Sequence, residues 1–393
     1  MIGQKWHSEI REFKDEKTGR TITQLTSTGN NVHFYFTENS FTAGKDEIFF
    51  VSDRASGEDK LPHEDPAYSL FRMDLDSGEI EQVHGDVLRS AHAATKTPDS
   101  QLIAYSTDGE VKLLDMSTGT SAVIYEETGQ FQISSVPSIA ANRRYVAFCR
   151  NEHSESPIHY HGANYAGFKE RYYAVKDGRV TLVYVDGSGW LDVFKDTHQL
   201  GHFQFSPDDP TLGMFCHEGP WNLVTQRIWF LDFVSREAVP CFRQGENDAI
   251  GHEFWTQDGL IFFDDRGPGH DGTITSDRTQ AVLTSVNINQ NVLIPFVGLV
   301  DRKGTLVRRI DMPSYCNHYH ANPEHSVLVG DDVDDLVLID ISGDQATLTP
   351  LCHHKTSWHT QSSHCHPTWS WDGRRILYAS DHGGRVQLYL IQV

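Results

Sequence analysis

A chain of 393 residues can bury a large core, and 22% charged residues with 31 glycines and 15 prolines fit a turn-rich soluble protein. With 54 acidic against 33 basic residues the formal charge is −21, which excludes the basic footprint that nucleic acid or an anionic membrane surface demands of a partner. The N-terminal stretch has no apolar leader segment, no run approaches the roughly eighteen apolar residues of a membrane span, and the six cysteines form no CxxC pair, so a cytoplasmic protein with free thiols is expected.

Residues 15–26 come first in chain order and read as a turn followed by a strand that has no hairpin of its own. A repeated unit then begins. Its first hairpin, a polar turn with an aromatic or aliphatic strand, falls at 41–51, 92–105, 136–148, 202–215, 252–263, 318–329 and 366–378. Its second hairpin has an apolar strand with Asp near the end and, in most copies, a Gly-containing turn, at 70–83, 111–125, 181–194, 228–241, 296–310 and 336–351. Alternation and turn chemistry make each a hairpin, and four strands in roughly 40 to 50 residues is the signature of a β-propeller blade.

Six units are complete, while the seventh stops one strand short at residues 386–393. The strand within 15–26 supplies the missing one and removes an exposed sheet edge. The expected fold is all-β: a seven-bladed β-propeller forming one domain over 1–393, its ring closed by an N-terminal strand completing the last blade. Two separate β-sandwiches would leave the missing strand unexplained. Two insertions break the rhythm, a polar and aromatic one at about 153–173 that could hold a short helix, and a Gly, Asp and Thr-rich one at about 264–291. Long loops on a rigid scaffold commonly line binding sites.

Histidines stand near the start of the channel-lining first strand in five units: His92, His202, His252, His318 and the pair His364 and His366. Equivalent positions in adjacent blades converge on the axis, so these imidazoles are expected at one mouth; for His92 and His202 a hydrogen bond to the next blade is the competing reading. In an extended segment His364 and His366 share a face, with the Gln361 carboxamide three residues before the first. Such a pair is either an ordinary hydrogen-bonded pair or a ligand set. Imidazoles with a carboxamide and no thiolate suit Mn, Fe, Ni or Zn and argue against a dedicated calcium site.

The run Phe215-Cys216-His217-Glu218-Gly219-Pro220, then Arg227-Ile228-Trp229, then His252-Glu253-Phe254-Trp255 and the Q-x-x-H-x-H cluster, resemble the oligogalacturonate lyases of polysaccharide lyase family twenty-two. The resemblance holds in blade order over nearly the whole chain. It implies a seven-bladed propeller acting in the cytoplasm on short pectin fragments, with His318, Gln361, His364 and His366 as manganese ligands. It also implies His252 as the base and Arg227 as a substrate-carboxylate or catalytic partner. The chain departs from the family pattern at Cys365, where proline is expected, and in a longer excursion in unit five.

The chemistry that follows is β-elimination on a uronic-acid oligosaccharide. A cation on the uronate carboxylate stabilises the charge that builds beside it, and a neutral imidazole near pH 7 removes the α-proton. Arg227 keeps its charge and can grip a carboxylate in bidentate fashion. His202 and His217 are candidate sugar contacts, His217 having a structural role beside the Gly219-Pro220 turn as its alternative. The rival function is a non-catalytic binding scaffold in the manner of TolB or WD propellers. A serine peptidase propeller is weak, because there is no G-x-S-x-G elbow.

Overall fold

The aspartate that recurs before the outer turns holds those turns shut. In the computed structural model, which describes residues 3–154, 159–161, 164–273 and 294–393, Asp74 Oδ1 accepts the Ser77 backbone N–H at 2.7 Å. Asp115, Asp232 and Asp340 likewise accept the N–H two residues on, each at 2.8 Å. A carboxylate closing its own turn is why Asp sits at these positions, and Gly78 completes its turn at φ +73°.

These hairpins build seven antiparallel sheets of four or five strands. The inner strands are Asn31–His33, Ala94–Lys96, Ser138–Ile139, Leu200–Phe205, Ile250–Trp255, Tyr319–Ala321 and Thr368–Trp369. Second strands such as Ile261–Asp265 are buried throughout, because both faces of each sheet are covered by neighbouring blades. Outermost strands such as Leu306–Asp311 are largely exposed. The buried apolar clusters accordingly span adjacent blades: Phe254 and Phe262 of blade five pack with Leu328 and Ile339 of blade six, and Ile376 of blade seven packs with Val329 of blade six.

Ring closure follows the expected route and goes further. Thr21–Gln24 pairs with Gln387–Gln392, setting Ile22 opposite Ile391, and Arg11–Lys14 adds a fifth strand outside it. Lys5–Trp6 then pairs with Ile80–His84 of blade one, so the N-terminal arm joins the first and last blades. Ile22 is 1% exposed within the core shared by blades six and seven. Ile22→Ala should therefore cost about 2–4 kcal/mol, checked by the chemical-denaturation midpoint.

Blade one corrects the sequence reading. Its inner strand is Asn31–His33, not the segment at Phe41, which makes only a single bridge to Ile48. The chain after His33 leaves the sheet and carries Tyr35 and Phe36 in among the axial histidines. In the first insertion, a hairpin of His159–His161 with Asn164–Ala166 precedes a helix, Phe168–Ala174. Of the second, Asp264 and Asp265 end a blade-five strand, and residues 274–293 lie outside the described set. Among the described residues no helix is long and apolar enough to cross a membrane.

Candidate active site

The axial histidines are aimed by their backbone. His202, His252 and His366 all adopt positive φ, at 49°, 42° and 44°, a conformation unusual for a residue with a Cβ. For His202 and His252 it coincides with a register break in the inner strand, between Gly201 and Gln204 and between Gly251 and Phe254. A β-bulge of this kind redirects one side chain out of the pleat. Gly251 is required beside it, since a Cβ there would lie 1.9 Å from the Trp221 ring, and that ring stands 5.0 Å from His252.

His318, His364 and His366 meet at the axis. One nitrogen from each lies within 4.8 Å of the others, and all three residues are buried. Nδ1 of His318 lies 2.9 Å from Asp331 Oδ2, and its backbone N–H also donates to Asp331. With Nδ1 engaged, Nε2 is the nitrogen His318 has to offer. His364 Nδ1 and His366 Nε2 are buried with no hydrogen-bond partner among the described residues. Burial pushes the His364 imidazole down to about 3 and His366 and His318 well below the ordinary histidine range, each helped by neighbouring histidines. Three neutral imidazoles with two orphaned nitrogens aimed at a common centre fit a divalent cation, and a carboxylate behind His318 is the usual orienting partner of a ligating imidazole. Gln361 lines the same cavity as His318 and, through its backbone carbonyl, contacts His92 Nε2 at 3.4 Å.

His252 stands beside this centre, its ring centroid 4.9 Å from that of His318. Its Nδ1 lies 3.4 Å from Asp264 Oδ1 and 3.4 Å from Arg266 Nη2. Burial lowers its basicity, against the pull of Asp264, so the ring is neutral near pH 7. Asp264 can only accept from Nδ1 and Arg266 can only donate to it, so the two contacts favour opposite tautomers; the one with its proton on Nδ1 facing Asp264 leaves the Nε2 lone pair for a base. Arg266 is itself locked in place, donating to the carbonyls of Asn317 at 2.8 Å and Cys316 at 3.3 Å.

Arg227 is fixed by two carboxylates, the buried Glu253 and the partly exposed Glu218. Nε donates to Glu253 Oε2 at 3.1 Å and Nη1 to Glu218 Oε1 at 3.4 Å. His202 shares both acids, with Nδ1 2.9 Å from Glu253 Oε1 and Nε2 3.5 Å from Glu218 Oε2. Burial alone would depress the His202 imidazole, yet Glu253 and Glu218 outweigh it and hold it above its ordinary value. The cluster sets two carboxylates against Arg227 and an imidazole whose protonated form they favour. Glu253 is fully buried, so Glu253→Ala would leave Arg227 and His202 with only the longer contacts to Glu218 and should cost about 3–5 kcal/mol, read as a lowered unfolding midpoint.

A cavity of about 850 Å³ opens on this face, lined by His92, His202, Arg227, His252, His318 and Gln361. His364 and His366 are buried against His318. His217 is not part of that wall: its Nε2 lies 3.1 Å from Asp196 and its ring stacks on His198. The geometry thus gathers seven of the eight expected site residues and leaves out His217. Sequence reasoning passed over His33, whose ring bridges the carbonyls of Phe34 and Cys365, and gave no role to Glu218, Glu253, Asp264, Arg266 or Asp331. The two His-Glu dipeptides, at 217–218 and 252–253, were the available signal for the first two.

The family model described as oligogalacturonate lyase matches residues 2–267, a span that contains His252 and Arg227 and stops before the three-histidine centre. An oligogalacturonide lyase of Pectobacterium atrosepticum is 28% identical over 223 residues, 51% of this chain and 52% of the relative, so that match spans about half its length. An oligogalacturonate lyase of Dickeya dadantii is 21% identical over 420 aligned positions, covering 100% of this chain and 98% of the relative. Among solved structures, an oligogalacturonate lyase in complex with manganese superposes with TM-score 0.81 at 20% identity, covering 100% of this chain and 98% of the other. An oligogalacturonate lyase from Vibrio parahaemolyticus gives TM-score 0.81 at 19% identity, covering 100% and 99%. These two structures share the propeller architecture, and with the family model matching more than half of the chain, it belongs to the oligogalacturonate lyase family.

Proposed function

We propose that this propeller is a metal-dependent lyase that cleaves short oligogalacturonides by β-elimination. The observation that carries the reading is the gathering of His318, His364 and His366 around one centre beside His252, at a cavity whose wall also holds Arg227. Manganese is the ion proposed, with Gln361 completing the ligand set. When bound, the ion supplies positive charge to the uronate carboxylate and stabilises the charge developing next to it.

The chain's own residues do the rest. His252 Nε2 takes the proton from the carbon α to the carboxylate, while Asp264 holds the Nδ1 edge of the ring from behind. The electron pair forms a carbon–carbon double bond, the glycosidic C–O bond on the β-carbon breaks, and the leaving sugar oxygen acquires a proton. Arg227, anchored by Glu253 and Glu218, holds a substrate carboxylate, and His202 contacts the sugar beside it. The cavity volume of about 850 Å³ suits a substrate of a few sugar rings. The proposal includes a single domain over residues 1–393 and a cytoplasmic location, the latter supported by six cysteines that are all buried and unpaired.

Incubation of purified protein with Mn²⁺ and di- or trigalacturonate should yield a new unsaturated uronate, followed by ultraviolet absorbance and mass analysis of the products. Mass analysis is needed because a terminal unit that is already unsaturated loses its chromophore on release. Absence of any uronide cleavage with manganese present would overturn the proposal.

A further inference from the structure

Elimination needs a second proton-handling group, because a departing sugar oxygen is an alkoxide too basic to leave unprotonated near pH 7. The fold repeats the station of the base one blade back. Leu200-Gly201-His202 opens the inner strand of blade four as Ile250-Gly251-His252 opens that of blade five. Both histidines follow a glycine, stand in the register break and have positive φ. Gln204 Nε2 donates to the Glu253 carbonyl at 3.0 Å and clamps the two strands side by side, and both imidazoles line the same cavity. Tyr35 touches the rings of His202 and of His366 in the axial centre, with centroids 5.8 and 5.0 Å away.

The surroundings of the two imidazoles differ in sign. His252 has Asp264 and Arg266 at its Nδ1 edge, whereas His202 has a carboxylate at each nitrogen, Glu253 and Glu218. Burial lowers the basicity of His252, with Arg266 and Arg227 adding to it, while on His202 the same burial is outweighed by the two acids. Neighbouring titratable groups pushed in opposite directions mark an acid and a base. Nδ1 of His202 is the nitrogen drawn to carboxylate, 2.9 Å from Glu253 Oε1. Nε2 stands 3.5 Å from Glu218 Oε2, longer than an ordinary hydrogen bond, on a side chain 22% accessible.

We infer that His202 is the general acid of the elimination, its Nε2 giving a proton to the departing sugar oxygen; the assignment rests on the lyase reading above. As His252 Nε2 takes the α-proton, the C–H electron pair becomes the second bond between the α- and β-carbons. The pair of the breaking glycosidic C–O bond goes to the oxygen, which takes the proton of His202. The step leaves His252 protonated and His202 neutral, and exchange with solvent returns a proton to the one and removes it from the other.

The test compares digalacturonate with a galacturonide whose β-carbon carries fluorine in place of the leaving sugar, both with manganese-loaded protein. Fluoride departs without a proton. His202→Asn retains an N–H donor for a sugar, suits a positive φ and has no proton to give. It should lower kcat/KM for digalacturonate about 10²-fold or more and that for the fluoride, followed as fluoride release, by less than about 3-fold. His252→Ala should lose heavily on both substrates. His202→Gln makes the same comparison should the asparagine variant fold poorly, as judged by its melting temperature and manganese content. Equal losses on the two substrates would reduce His202 to a sugar contact and overturn the assignment, as would undiminished cleavage of digalacturonate. Failure of the wild type to cleave digalacturonate would instead bring down the lyase reading, and the assignment with it.

Discussion

His252→Ala is expected to lower the turnover of digalacturonate by about 10²–10⁴-fold, the range a positioned general base contributes, while the content of bound metal stays at the wild-type level. The second measurement separates the base from its neighbours. His252 packs against His318 with ring centroids 4.9 Å apart, so a variant that merely collapsed the axis would lose metal as well as activity. It is also not among the three residues whose ligand nitrogens meet at the common centre. A scaffold propeller of the same fold has no use for a base and would tolerate the change. Asp264→Asn provides the companion test. Replacing the carboxylate 3.4 Å from His252 Nδ1 weakens the preference for the tautomer that exposes the Nε2 lone pair, so kcat should fall with little change in KM.

The fold was legible from sequence because its signals are local. An aspartate closing its own turn and a period-two apolar strand are written within a few residues, and six such copies fix the blade count before any packing is known. The last blade was legible by its shortage. Blade one was misread because its inner strand is only three residues long, Asn31–His33, and the aromatic segment after it resembles a strand while it fills the axis instead. At the site, histidines recurring at one position of the repeat announced themselves. Their partners did not. Asp331, Asp264 and Glu253 are fully or almost fully buried carboxylates on strands where Asp and Glu also serve as turn closers and surface charges. Only the fold reveals which acid faces inward. Likewise His202 and His217 both read as candidate sugar contacts, and the backbone separates them: His202 is aimed inward by a bulge at φ 49°, while His217 continues its strand and turns to Asp196.

Loss of a single imidazole from the axial centre should have the largest effect of all. His364→Ala is expected to weaken manganese binding by more than 100-fold and to abolish activity at micromolar metal, with the deficit measured by metal analysis of purified protein and by manganese titration of the stripped form. The reasoning starts from what the site costs without an ion: His364 Nδ1 and His366 Nε2 are buried with no partner among the described residues, and burying an unsatisfied polar atom costs about 1–3 kcal/mol. His364→Ala removes one of those atoms together with a ligand, so the variant should hold its fold as well as metal-free wild type while failing to take up the ion. Asp331→Asn makes the graded comparison. It leaves all three imidazoles in place and alters only the group 2.9 Å behind His318 Nδ1, and a change to the orienting partner of a ligand lowers affinity by about 10–100-fold. Metal affinity should therefore fall in the order wild type, Asp331→Asn, His364→Ala, with excess manganese restoring activity to the middle variant alone. Rescue of His364→Ala by excess manganese would mean that the pair His318 and His366 suffices, and the three-imidazole centre would then be the wrong description of the axis.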